Sequence, residues 1–275
     1  MYKKLLVVAF LALPPAAAWA GPYAPAAGQS GSTAIACNDP QFVEWASGIS
    51  LQRGPMDIGN PSAGLASYGQ PEDALGPATT SAVSHVVSLG DGGSATLSFD
   101  RPITNGPGND FAVFENGVTD TFLELAFVEV SSDGKNFFRF PSVSLTQTTT
   151  QVGAFGTLDP TNLNDLAGKY RGGYGTPFDL SELDGVSPLL DVNAITEVRL
   201  VDVVGSIQDA YASYDSQGHK INDPWTTSFA SSGFDLTGVG VINVVPEPGS
   251  IALLASVALA ASIVSCRRRK NRAGE

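Results

Sequence analysis

The sequence predicts a mainly β protein: a jelly-roll-like antiparallel β-sandwich, preceded by a secretory signal peptide and followed by one C-terminal transmembrane helix. Three observations predict it. Apolar and polar residues alternate over short stretches, and no window sustains helical periodicity. Gly, Asn, Asp and Pro punctuate the chain between those stretches, as the turns of a short-stranded sandwich require. Apolar runs beside basic residues mark both ends of the chain. No internal repeat of solenoid or propeller period is present.

The N-terminus reads as a signal peptide over residues 1–20. Lys3 and Lys4 form a positive start, residues 5–13 a compact apolar core, Pro14 and Pro15 a break, and Ala18-Trp19-Ala20 a small-x-small cleavage site before Gly21. The residue directly after that site is Gly21 and not a cysteine, which argues against a lipoprotein anchor. Residues 21–40 are rich in Gly, Pro, Ala and Ser and read as a flexible leader. The ectodomain spans 41–245. Its expected strands are 85–89, 95–99, 111–115, 123–131, 137–140, 195–204 and 234–244. Ala95, Leu97 and Phe99 alternate strictly with Thr96 and Ser98, so one face is apolar and the other polar. Ser131-Ser132-Asp133-Gly134-Lys135 reads as a hairpin turn, because Asp-Gly supplies the positive φ such turns need.

Between Gly21 and Val245 there are 25 acids and eight bases, a formal charge of −17. Nucleic acid is a poor partner for such a surface, and divalent cations are a better one. Cys37 is the one cysteine of that region, and Cys266 sits at the membrane edge. The processed domain therefore forms no intramolecular disulfide, and its stability has to come from a buried core.

Catalytic motifs are missing. The two histidines read as a strand residue, His85, and a solvated loop residue, His219. No zinc, nucleophile-elbow or phosphate-loop pattern occurs. The chain is expected to be non-catalytic, with a glycan-active hydrolase as the trailing reading because carboxylates are plentiful. Calcium takes oxygen ligands from carboxylates and carbonyls in Gly-rich loops. Asp91, Asp110, Glu115, Asp202 and Asp235 lie at strand ends beside Gly or Asn, where a lone acid reads as a turn cap. Asp202 is the exception: it shares a strand face with Val198, Leu200 and Val204, and a buried acid there has to be paired or ligated. Either it anchors one calcium site, with Asp110, Glu115 or Asp235 as companions, or it accepts backbone N–H groups. Arg199 points to the other face. Aromatic residues on long loops form a second set. Tyr170, Arg171 and Tyr174 lie in one loop; Tyr211, Tyr214, Trp225 and Phe229 lie in another. Such groups either stack on sugar rings or pin loops onto the sandwich; Tyr170, Arg171, Tyr174 and Trp225 are the candidate ligand contacts.

The tail holds three devices in order. Pro246-Glu247-Pro248 breaks the chain, residues 251–266 form an unbroken apolar run, and Arg267, Arg268, Arg269 and Lys270 form a basic stop. The run spans roughly 24 Å as a helix, short of the roughly 30 Å hydrocarbon core. Residues 246–275 resemble the PEP-CTERM sorting signal of exopolysaccharide-making Gram-negative bacteria. That resemblance implies export through the inner membrane, a transient anchor there, and removal of the tail by exosortase, a membrane cysteine protease, with delivery to the cell surface or beyond. The ectodomain segments 88–100, 105–116, 126–134, 169–180 and 233–236 resemble a family of bacterial cell-surface proteins without an assigned enzymatic activity. Their strand order is similar to galactose-binding-like (discoidin-type) jelly rolls, which implies glycan or surface binding, often with a structural calcium. Two function classes follow: an exported surface or matrix protein that binds exopolysaccharide, and, from the same resemblance, an accessory to outer-membrane cobalamin uptake.

Overall fold

A computed structural model describes residues 21–80 and 84–247. The expected signal peptide, Pro248, the 251–266 run and the expected basic stop at Arg267, Arg268, Arg269 and Lys270 lie outside the described residues. Among the described residues, no helix is long and apolar enough to cross a membrane. Thirteen strands carry the fold: β1 (Ile35–Ala36), β2 (Glu44–Trp45), β3 (Gly48–Gln52), β4 (Val87–Ser88), β5 (Ser94–Ile103), β6 (Phe111–Glu115), β7 (Ala126–Ser131), β8 (Phe138–Arg139), β9 (Val143–Ser144), β10 (Leu163–Asn164), β11 (Tyr174–Phe178), β12 (Ile195–Asp202) and β13 (Asp235–Val241). The helical segments among these residues are four short 3-10 turns. The protein is mainly β, as its patterning predicts.

Two antiparallel sheets form the body. One runs β1-β11-β6-β13-β2, with β4 pairing the start of β13; the other runs β3-β5-β12-β7-β8. β9 and β10 form a separate two-stranded ladder. Inward residues of both sheets meet in one core: Phe111, Val113, Phe178, Leu236 and Val239 from the first, Leu97, Val128, Val130, Val198 and Leu200 from the second. Phe111 stacks on Phe178 with ring centroids 5.3 Å apart, and Phe140 closes on both. Period-2 alternation decides which side chains enter. In β12, Val198 and Leu200 are buried with Asp202 on their face, while Arg199 turns outward to Glu129. Glu129 also takes two hydrogen bonds from Arg139, at 2.9 and 2.7 Å. The Asp133-Gly134 turn joins β7 to β8, pairing Glu129 with Arg139 and Val130 with Phe138. Gly134 has φ +68°, and Asp133 accepts the N–H groups of Lys135 and Asn136.

The outer faces of both sheets are covered. Leu123, Leu125, Phe127, Leu158, Leu166, Val203 and Ile221 bury one outer face under long loops. Ile35, Ala112 and Phe114 bury the other, with Cys37, Phe42 and Trp45 packed against them. Residues 21–40, expected as a free leader, are therefore bound to the body. β1 pairs β11, and Gly21 and Tyr23 donate to Thr161 at 2.6 and 3.1 Å. Its small residues belong to a segment held through contacts to Thr161, Tyr170, Arg171 and β11, not to an unattached one. His85 is also displaced from expectation. It is exposed with φ +57°, and the strand begins only at Val87.

Candidate functional site

Antiparallel pairing gathers acids at one end of the sandwich. Leu236 pairs with Glu115 and Asp202 with Ala126, so the end of β6, the start of β13, the end of β12 and the approach to β7 coincide. Glu115, Glu124, Asp202 and Asp235 meet there, with Asp91 and Asp223 supplied by loops. All six are buried. Most are tied to backbone or neutral donors. Asp202 Oδ1 accepts the Phe234 N–H (2.7 Å) and Oδ2 the Gly92 N–H (2.9 Å). Gly233, at φ +69°, makes the first bond possible, since a Cβ there would lie 2.6 Å from Asp202 Oδ1. Asp91 accepts Ile58 N–H (2.8 Å) and Trp225 Nε1–H (3.0 Å), and Asp223 accepts Leu125 N–H (3.0 Å). Asp235 is bonded by the Ser88 hydroxyl and by Asn116 Nδ2 (3.1 Å). Glu115 Oε2 accepts Gly117 N–H (2.6 Å), and its Oε1 is buried without a partner.

Burial and mutual repulsion set the protonation of this end. Burial first, then the Asp91 charge, push Asp202 well above the usual carboxylate range. Burial, then Asp202, do the same to Asp223; burial, then Asp235, do it to Glu115. Glu124 is raised by burial and then by Asp235, Glu115, Asp223 and Asp202. Asp235 is pushed up to about 6 by burial, against its hydrogen bonds and the Arg53 charge. The guanidinium of Arg53 is itself spent on the carbonyls of Tyr68, Ser88 and Gly69 at 2.5–2.9 Å.

The four acids named for calcium do not all converge. Asp202, Glu115 and Asp235 share this end. Asp110 precedes β6 and lies at its other end, roughly 17 Å from Glu115 at strand rise. There it accepts Gly106 N–H, Leu180 N–H and Asn243 Nδ2 at 2.7–2.8 Å. No group of three or more His, Cys, Asp or Glu among the described residues is disposed to hold a metal ion.

Two concavities open beside these elements. A pocket of about 150 Å³ has Glu124 and Asp235 on its wall and Phe122, Phe155 and Phe229 at its lip. Those rings form a row, with centroids 6.3 Å and 5.8 Å apart, and Phe155 is 75 % exposed. Gly168, at φ +83°, packs behind it; a Cβ there would strike the Glu124 carbonyl at 1.8 Å. The second is an open groove of about 400 Å³ between the β8 end and the 3-10 turn at Leu180–Leu183. Arg139, Glu182, Val186, Tyr214 and Ser216 are among its lining residues, and Tyr214 is 45 % exposed. Partial burial, then Asp165, push Glu182 up to about 7. Asp215 also lines the groove, but its carboxylate is filled by the N–H groups of Ser144, Gln217 and His219 at 2.8–3.1 Å.

The expected aromatic contacts serve packing. Tyr170 is 1 % exposed and its hydroxyl meets Thr33. Trp225 is 8 % exposed, bound to Asp91 and packed on Tyr211. Arg171 bonds Asp120 and the Ala27 carbonyl and lies over the Tyr174 ring, 4.6 Å from its centroid. All four pin loops and the 21–40 segment. Tyr214 and Phe229, from the same long loop as Trp225, are the ones that reach solvent. Glu124 and Asp223 were the missed acids. The Glu124 signal is the one that exposes Asp202: it interrupts the apolar run Leu123, Leu125, Ala126 and Phe127. No family model, curated protein or solved structure matches this chain.

Proposed function

We propose that this chain is an exported, non-catalytic surface or matrix protein whose jelly-roll-like sandwich offers the Tyr214 groove to polysaccharide. One observation carries the binding half of this reading: an open, mostly apolar groove built on sheet edges, with a half-exposed tyrosine beside a guanidinium and a carboxyl. Sugar rings present apolar faces that stack on such a ring, and hydroxyls that bond its polar neighbours. Hydrolysis fits less well. Glu182, near 7, has the protonation of a general acid, but the second carboxylate in the groove, Asp215, is saturated by backbone donors and offers no free oxygen to water. Binding is measured by titrating the full chain with exopolysaccharide fractions of its host. Tyr214→Ala should weaken it about tenfold, with no new reducing ends. Release of reducing ends, or affinity unchanged in the variant, would reject the reading.

The export half rests on the sequence at both ends. Mature protein from the native host should lack residues 1–20 and everything after roughly Pro246-Glu247-Pro248, the cut being made by an exosortase. Intact mass reads this directly. Surface-fraction protein still carrying Arg267, Arg268 and Arg269 contradicts it.

A further inference from the structure

We propose that the pocket walled by Glu124 and Asp235 and lipped by Phe122, Phe155 and Phe229 binds a small organic ammonium ion. Glu124 carries the argument. It is 8 % exposed, lines the pocket, and accepts no hydrogen bond among the described residues. Every neighbouring acid but Glu124 has at least one N–H or O–H donor. A buried carboxyl without a donor is costly, and a cation entering the pocket supplies both the donor and the opposite charge. Four other buried acids act on Glu124 and all of them favour such a cation. The lip narrows the choice of cation. Three phenyl rings in a row line the pocket, the middle one largely exposed, and such rings supply apolar surface and a π system that attracts a cation. A bare divalent ion needs six to eight oxygens and has no use for such a lip. Apolar cavities of about this volume hold a benzene-sized molecule. An aromatic or short alkyl amine satisfies floor and lip together: ammonium toward Glu124 and Asp235, hydrocarbon against Phe155 and Phe229. This site is separate from the Tyr214 groove and shares none of its lining residues.

Benzylamine and its uncharged counterpart benzyl alcohol test the assignment in thermal melts and titration calorimetry of the full chain, with calcium as a third arm. Benzylamine at ten times its dissociation constant should raise the melting temperature by about 3–6 °C, and benzyl alcohol should not. Phe155→Ala, on the surface, should weaken benzylamine about fivefold, and Glu124→Gln, which keeps the side-chain shape, about tenfold or more. The proposal is overturned by equal stabilisation from benzyl alcohol, or by benzylamine binding that neither variant changes. It is also overturned by no shift at about 10 mM benzylamine, or by calcium stabilisation that Glu124→Gln removes while benzylamine has no effect.

Discussion

Acidifying the chain from pH 8 to pH 5 should raise its melting temperature by about 3–6 °C or more. The sign follows from linkage. A carboxyl whose folded pKa exceeds its unfolded value binds its proton more readily in the native state, so its contribution is full below the unfolded pKa and is lost as pH rises through the folded one. Asp235, raised from 3.8 to about 6, alone accounts for roughly 1.4 kcal/mol across that window, because its full contribution is reached only below the unfolded pKa. For a domain of this size each kcal/mol moves the melt by about 2–4 °C. Asp202, Asp223, Glu115 and Glu124 act in the same direction. Lys169, pushed down to about 8 by burial, titrates mostly above the window. Below about pH 4 the trend should reverse, because exposed Asp133 is held low by the N–H groups and side chain of Asn136 and loses that support on protonation. Melts followed by circular dichroism at half-unit steps would show a maximum near pH 4–5. A curve that is flat or falls from pH 8 to pH 5 refutes the account.

Strands with a two-sided pattern are legible in this chain, and strands that break it are not. The 95–99 alternation and the Asp133-Gly134 turn became β5 and the β7–β8 hairpin because a pleated strand with one wet face writes that period into sequence. β11 was invisible. It holds Gly175 and Pro177, which read as a loop, yet it pairs between β1 and β6. Gly175 is there because a Cβ would lie 2.7 Å from the Phe114 ring, a packing reason that periodicity cannot show. β13 is buried on both faces and includes Gly240 for a similar reason; a Cβ on Gly240 would meet Phe42 at 2.7 Å. Residues 21–40 misled by composition. Disorder and an ordered segment held through its backbone both accept small residues, and only the pairing partners separate them.

The acid cluster was half legible. An acid interrupting an apolar strand face is a local signal, and it correctly singled out Asp202. Which strand ends meet depends on register, which brought Asp202 and Asp235 to Glu115, whereas Asp110 is kept from Glu115 by the length of β6 itself. The aromatic residues show the same division. Trp225, Tyr214 and Phe229 belong to one loop with no periodicity, so nothing local says that the first is buried against Asp91 while the other two face water.

Removing the Asp202 carboxyl should be among the most damaging single changes in the domain, and most damaging at low pH. Its two oxygens hold Gly92 and Phe234, so one side chain ties the end of β12 to the turn after β4 and to the entry of β13. Asp202→Ala leaves two buried N–H groups unmade, at about 1–3 kcal/mol each. At pH 5 the loss should reach roughly 3 kcal/mol or more, a fall of about 6–12 °C. At pH 8 it should shrink, since the variant no longer carries a buried charge beside Asp91 and Asp235. Asp202→Asn keeps one acceptor and should fall between. Calcium ligation makes a different forecast. An ion saturated at about 100 times its dissociation constant would add roughly 2.7 kcal/mol, lost in both variants. Because both oxygens already accept backbone donors, melts in calcium and in chelator should coincide for the native chain. A calcium-dependent rise abolished by Asp202→Asn would make Asp202 a ligand and displace its role as a backbone cross-link.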